Sequence, residues 1–192
     1  MKELTCLLVC VIMFFIYMNY IRKSIHLSLV KSTVDGNEYY VRNLDDKVEA
    51  ANKLANLSQS LLRLLESVKD NNKKGIDRLI KRFDPKNITE NIPGSLYVAY
   101  SVNKGDELSI CIREKKTEKF LDQNTVIFVA IHEIAHIMTE STGHTEEFWN
   151  NMKYLLKEGI KIGIYEEIDY AKYPTDYCGM EINNTPLNLK NE

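Results

Sequence analysis

Residues 132–136 read His-Glu-Ile-Ala-His, and a third histidine, His144, follows Gly143 a short way downstream. Two histidines four apart share one face of a helix, one turn from each other, so both imidazoles can reach a single metal ion. Glu133, next to the first, can reach a water on that ion without binding the ion itself. Neutral imidazoles leave Zn²⁺ strongly Lewis-acidic and bring its water to a pKa of about 7. A carboxylate beside that water can then take its proton as it attacks a carbonyl. The surrounding run, VIFVAIHEIAHIM, is otherwise apolar. Burying three polar side chains there unpaired would cost several kcal/mol, whereas a shared metal accounts for all three at once.

A chain that turns at Gly143 can bring His144 back to the metal. Zinc held by three His, with water in the fourth position, is the catalytic pattern rather than the closed structural one. The metal ligands expected are therefore His132, His136 and His144, with Glu133 as the catalytic base. Glu146 and Glu147 compete for the third place, but acids in a helix's first turn read more simply as solvent-facing. An oxyanion donor could come from Tyr165, Tyr170, Tyr173 or Tyr177, and no spacing selects one. Cys178, beside Gly179, reads as a turn residue rather than a ligand.

The elements that must position these groups follow from periodicity. Leu44 to Val68 has the apolar spacing of a long amphipathic helix, and Ile76 to Phe83 that of a short one ending at Asp84-Pro85. Residues 96–102 and 107–114 are apolar, β-favouring runs around Asn103-Lys104-Gly105-Asp106, which predicts a hairpin. Thr125 to Thr139 is apolar on nearly all sides and should form a central buried helix, with Asp122 or Asn124 as its cap. A further helix is expected from about Thr145 to Glu158, with Phe148 and Trp149 anchoring the segment that holds His144. The tail shows little periodicity and should be irregular and packed on the core.

The chain has 192 residues, a formal net charge of −2 and a charged fraction of 27 %, the balance of a folded domain rather than a disordered chain or a nucleic-acid coat. Residues 133–181 are acidic, with ten Asp or Glu against four Lys, a poor surface for DNA. Leu4 to Ile21 contains no charge. As a helix it would be about 27 Å long, close to a bilayer's hydrocarbon core. The division expected is thus an anchor over residues 1–22, a linker over 23–43 and a domain over 44–192. The basic residues after the run place that domain on the cytoplasmic side of a lipid membrane. Cys111 and Cys178 are the only thiols of the domain and make no disulfide framework.

The motif HEIAH followed by GHTEEFW resembles the small zincin metalloproteases of the WLM and SprT-like type, in which HExxH precedes a His and then Phe-Trp. ELSICIREKKT and FLDQNTVIFVAIHEIAH are similar to the strand and helix that lead into the motif there. The combination also resembles membrane-anchored WLM-like proteins of large DNA viruses, which would put the domain in a virion interior. The gap between His136 and His144 is longer than the family usually shows. The resemblance implies an α+β zincin-like domain whose helices, small hairpin sheet and buried HExxH helix perform zinc-dependent peptide hydrolysis on a protein substrate. The alternative is a non-catalytic, zinc-stabilised, membrane-tethered interaction or envelope protein. The resemblance extends to proteases of DNA-crosslinked proteins, but the acidic C-terminal half argues against a nucleic-acid partner.

Overall fold

The computed structural model describes residues 25–188, together with residues 5, 7 and 10–14. Its first elements are a hairpin, β1 (Leu27–Lys31) and β2 (Glu38–Arg42), turning through Asp35-Gly36-Asn37. The long helix α1 (Lys47–Val68) and the short α2 (Ile76–Arg82) follow. A three-stranded sheet is ordered β3-β5-β4, with β3 (Ile88–Glu90) parallel to β5 (Glu107–Ile110) and β4 (Ala99–Val102) antiparallel to it. Then come α3 (Gln123–Met138), α4 (Glu146–Lys161) and a small hairpin of β6 (Thr175–Tyr177) and β7 (Met180–Ile182). A 3-10 turn, Pro186–Asn188, ends the described chain. The architecture is α+β.

Each helix forms for a local reason and is buried on the face its sequence marks. Along α1, Ala51, Leu54, Ala55, Leu61, Leu65 and Val68 are buried at helical spacing. Asp122 caps α3, its carboxylate accepting from the Thr125 N–H at 2.9 Å. Asn124 does a different job: it exchanges two hydrogen bonds with the backbone of Glu166 and so ties the tail to the start of α3. α3 is buried on nearly all sides and packs against α1, α2, α4 and β4. At its end the Thr139 hydroxyl donates to the Ala135 carbonyl and accepts from the Asn151 amide of α4, which fixes the two helices together.

The structure corrects three expectations. Among the described residues no helix is long and apolar enough to cross a membrane, so the single-pass membrane placement expected of the chain is withdrawn. Most of the run Leu4 to Ile21, read as a lipid-spanning anchor, lies outside the described residues. Residues 27–42, read as linker, form the β1–β2 hairpin, which packs Leu27, Tyr39 and Val41 into the molecule. β2 buries alternate residues, Tyr39 and Val41, while β1 buries only Leu27, too short an alternation to stand out in the sequence. The third correction concerns cysteine. Cys111 and Cys178 are joined in a disulfide across a sequence separation of 67 residues.

Beside that disulfide sits a charge cluster in which Arg113 and Glu90 are buried and Asp46 is partly exposed. The Arg113 guanidinium, 2 % exposed, grips Asp46 through both terminal nitrogens at 2.6 and 2.7 Å and donates from Nε to Glu90 at 2.7 Å. Glu90 also accepts from the Arg42 N–H at 2.7 Å. Asp46 therefore spends its carboxylate on Arg113 and makes no side-chain cap bond to α1. The cluster joins β2, the start of α1, β3 and the segment after β5 on one side of the cleft described next.

Candidate metal centre

His132 and His136 project from the same face of α3, as their spacing requires, and their Nε2 atoms lie 3.2 Å apart. The loop after α3 returns His144 to them, with its Nε2 3.1 Å from that of His132. One nitrogen from each ring falls within 4.8 Å of the other two, an arrangement that can hold a metal ion. Gly143 makes the return possible. It adopts φ +82°, a left-handed conformation that a residue with a Cβ takes only under strain.

Aromatic side chains of α4 fix the three rings. Phe148, fully buried, stacks on His136 at 4.2 Å between centroids and meets His132 and His144 edge-on. Trp149 stacks on His144 at 5.4 Å. Thr145 caps α4 by accepting from the Phe148 N–H, so the cap, the two aromatics and His144 form one rigid corner. Glu147 turns away from the centre. Its carboxylate accepts from the Ser141 N–H and hydroxyl and from the Glu140 N–H, closing the loop that carries His144. Glu146 is exposed and, like Glu147, lies outside the three-His cluster.

The electrostatics suit a cation. Burial, reinforced by the neighbouring imidazoles, pushes His132 down to about 3, and burial chiefly pushes His136 down to about 4. Both rings are neutral at physiological pH, the form that ligates metal. Three converging nitrogens whose lone pairs face one another are relieved by a shared cation, so the donor set fits a divalent metal that favours nitrogen. Glu133 is mostly withdrawn from water, and burial lifts its carboxyl to about 7.

His132, Glu133, His136 and His144 line a cleft of about 1010 Å³. The segment 91–101, which includes most of β4, lines it too, together with Cys111, Cys178 and Met180. The tyrosines separate here. Tyr165 and Tyr170 are buried against Phe128, Tyr173 is exposed, and the Tyr177 hydroxyl donates to the Cys111 carbonyl at 2.8 Å. None of the four lines the cleft. Cys178 sits in the β6–β7 turn at φ +54° with its sulfur in the disulfide, and the arrangement leaves it no part in binding metal. The disulfide and Arg113 were the wall-forming residues that sequence reasoning missed. The only signal was a pair of cysteines in a domain with no others.

Fold and centre together define a class. Residues 39–181 match the WLM domain family, and the chain belongs to that family. It is 34 % identical over 166 residues to an uncharacterized protein of Acanthamoeba polyphaga mimivirus, covering 83 % of this chain and 84 % of the relative. An uncharacterized protein of Invertebrate iridescent virus 6 is also 34 % identical, over 82 residues, covering 42 % of this chain and 44 % of that protein. The family is thus represented in large DNA viruses. Among solved structures, Wss1 from Saccharomyces cerevisiae shares the fold, with a TM-score of 0.50 at 20 % identity over 64 % of this chain and 87 % of that one.

Proposed function

We propose that this chain is a zinc-dependent metalloendopeptidase acting on a protein substrate. The observation that carries the reading is the convergence of three imidazole nitrogens in an open cleft that Glu133 also lines. His132, His136 and His144 would hold the metal. Zn²⁺, when bound, supplies Lewis acidity toward the scissile carbonyl and the attacking water. The chain's own residues do the rest. Glu133 takes a proton from the water at its carboxylate as the water oxygen bonds to the carbonyl carbon. It then gives that proton to the departing amine as the C–N bond breaks, so the carboxylate is restored and one water is consumed per bond. Phe148 and Trp149 hold the imidazoles so that the ligand set needs no rearrangement. The exposure of His144 supports a metal reached from solvent rather than a sealed structural one.

The test is metal analysis coupled to cleavage. The full chain should hold about one zinc and cut an unfolded protein. Glu133→Gln should retain the metal and lose the cleavage by a factor on the order of a thousand or more. Equal cleavage by Glu133→Gln would sink the mechanism. Unfolding on chelation, with no cleavage in the zinc-loaded chain, would instead point to a metal kept for folding.

A further inference from the structure

The turn between β4 and β5 carries a lysine that pairs with no acid of the fold. Asn103 and Lys104 both adopt positive φ, +46° and +58°. Lysine takes that left-handed conformation less readily than glycine or asparagine. The turn is nevertheless pinned, because Gly105 lies so close to α2 that a Cβ there would fall 2.6 Å from the Arg82 carbonyl oxygen. So held, Lys104 lines the metal cleft and donates to the Glu140 carbonyl, just past α3, at 3.3 Å. Its charge reaches the centre, where it helps to keep the His136 ring neutral. The acids of the adjoining loops are engaged elsewhere. Asp106 accepts from Asn103, Glu140 pairs with Lys74 and Arg78, and Glu147 accepts from Ser141. Among the described residues no ion pair includes Lys104. Ser101, on β4 of the same hairpin, also lines the cleft, and its buried hydroxyl has no hydrogen-bond partner among the described residues.

An ammonium beside a centre suited to a cation weakens metal binding by repulsion unless an anion joins it. Lys104 has N–H donors to spare and Ser101 has its hydroxyl, so what this hairpin lacks is an acceptor, and beside the metal a negatively charged one. On the peptidase reading, which this inference rests on, the group entering the cleft is a segment of a protein. We propose that Lys104 is a specificity residue whose ammonium pairs with the carboxylate of an aspartate or glutamate side chain at one fixed position of the substrate, near the scissile bond. The pair is partly exposed, so it selects by a few-fold rather than absolutely, and salt weakens it.

Two measurements test this, one of them independent of cleavage. In the first, zinc-loaded full chain is given peptides with one scissile bond and both ends capped, so that the only carboxylate is the one under test. A single glutamate, or glutamine as its neutral counterpart, is moved through the positions on either side of the bond. One position should favour glutamate by about three- to fivefold in kcat/KM at low salt, and the ratio should shrink as salt is added. Lys104→Gly removes the ammonium and suits the left-handed backbone, so it should fold, hold zinc and bring the ratio to about one. Lys104→Glu should turn the preference at that position toward lysine. In the second measurement, calorimetry follows a capped, alanine-rich heptapeptide with one glutamate, against its glutamine counterpart, binding to the zinc-loaded chain in its Glu133→Gln form. The glutamate peptide should bind a few-fold more tightly, and adding Lys104→Gly should abolish the difference. Glutamate favoured at no position, or a preference that survives in Lys104→Gly, would overturn the inference, as would equal binding of the two heptapeptides. Glutamate-selective binding that depends on Lys104, in a chain that cleaves nothing, would remove the peptidase reading and leave the Lys104 site standing.

Discussion

Arg113 and its partners show how charge is accommodated beside the cleft. The guanidinium lies over the Phe120 ring at 4.1 Å and spends its donors on Asp46, Glu90 and the Glu118 carbonyl. The two acids respond oppositely. Hydrogen bonding to Arg113 holds the Asp46 carboxyl below its ordinary value of 3.8, while burial lifts that of Glu90 despite its bonds from Arg42 and Arg113. The signs for stability follow. A depressed carboxyl stabilises the fold above its unfolded pKa, and that contribution is lost as pH falls through the folded value. Ionised Glu90 costs stability at neutral pH, and acidification relieves the cost. Asp46→Asn should therefore be less stable than the parent at neutral pH, and the gap should be narrower in acid well below the ordinary carboxyl value of 3.8. Urea melts at the two pH values measure it, and a gap that persists undiminished in acid would refute the assignment.

At the scale of elements, the placement of α3 depends on how closely a neighbouring backbone approaches its end. Gly75, at φ +94°, starts α2 directly against Met138, and a Cβ there would fall 2.3 Å from the Met138 carbonyl oxygen. Arg78 of the same helix donates to that oxygen at 3.0 Å. Backbone cannot yield as a side-chain tip can, so Gly75→Ala should cost roughly 2–3 kcal/mol in thermal or urea unfolding. A loss under about 0.5 kcal/mol would mean the junction is slack. The helices were legible because their information is local. Spacing marked the buried face of α1, and an i, i+4 pair of histidines must sit side by side on any helix. Gly143 and Thr145 marked the turn and cap around His144 for the same reason. The β4–β5 hairpin was legible too, although its strands pair over four residues each rather than seven or eight. What could not be read depends on distant partners. Nothing near Tyr177 says that its hydroxyl meets Cys111, and nothing near Asp46 says that Arg113 rather than the α1 backbone takes its carboxylate.

At the scale of the molecule, the disulfide is the longest-range covalent link among the described residues. It ties the residue that follows β5, ahead of α3, to the β6–β7 hairpin that lines the metal cleft. Linking residues 67 apart restricts the unfolded chain by about 4 kcal/mol on the loop-entropy account. Cys178→Ser should lower the unfolding free energy by about 2–5 kcal/mol, and the oxidised parent should lose as much on reduction. Insensitivity to reductant in the parent would show that the bond contributes nothing. The crosslink also has a topological consequence. Residues 111–178 form a covalent ring, and α3, α4 and the His144 loop all lie inside it. One backbone cut anywhere in the ring leaves both halves joined. Such a nicked molecule would run as a single species on a gel without reductant and split in two only when reductant is added.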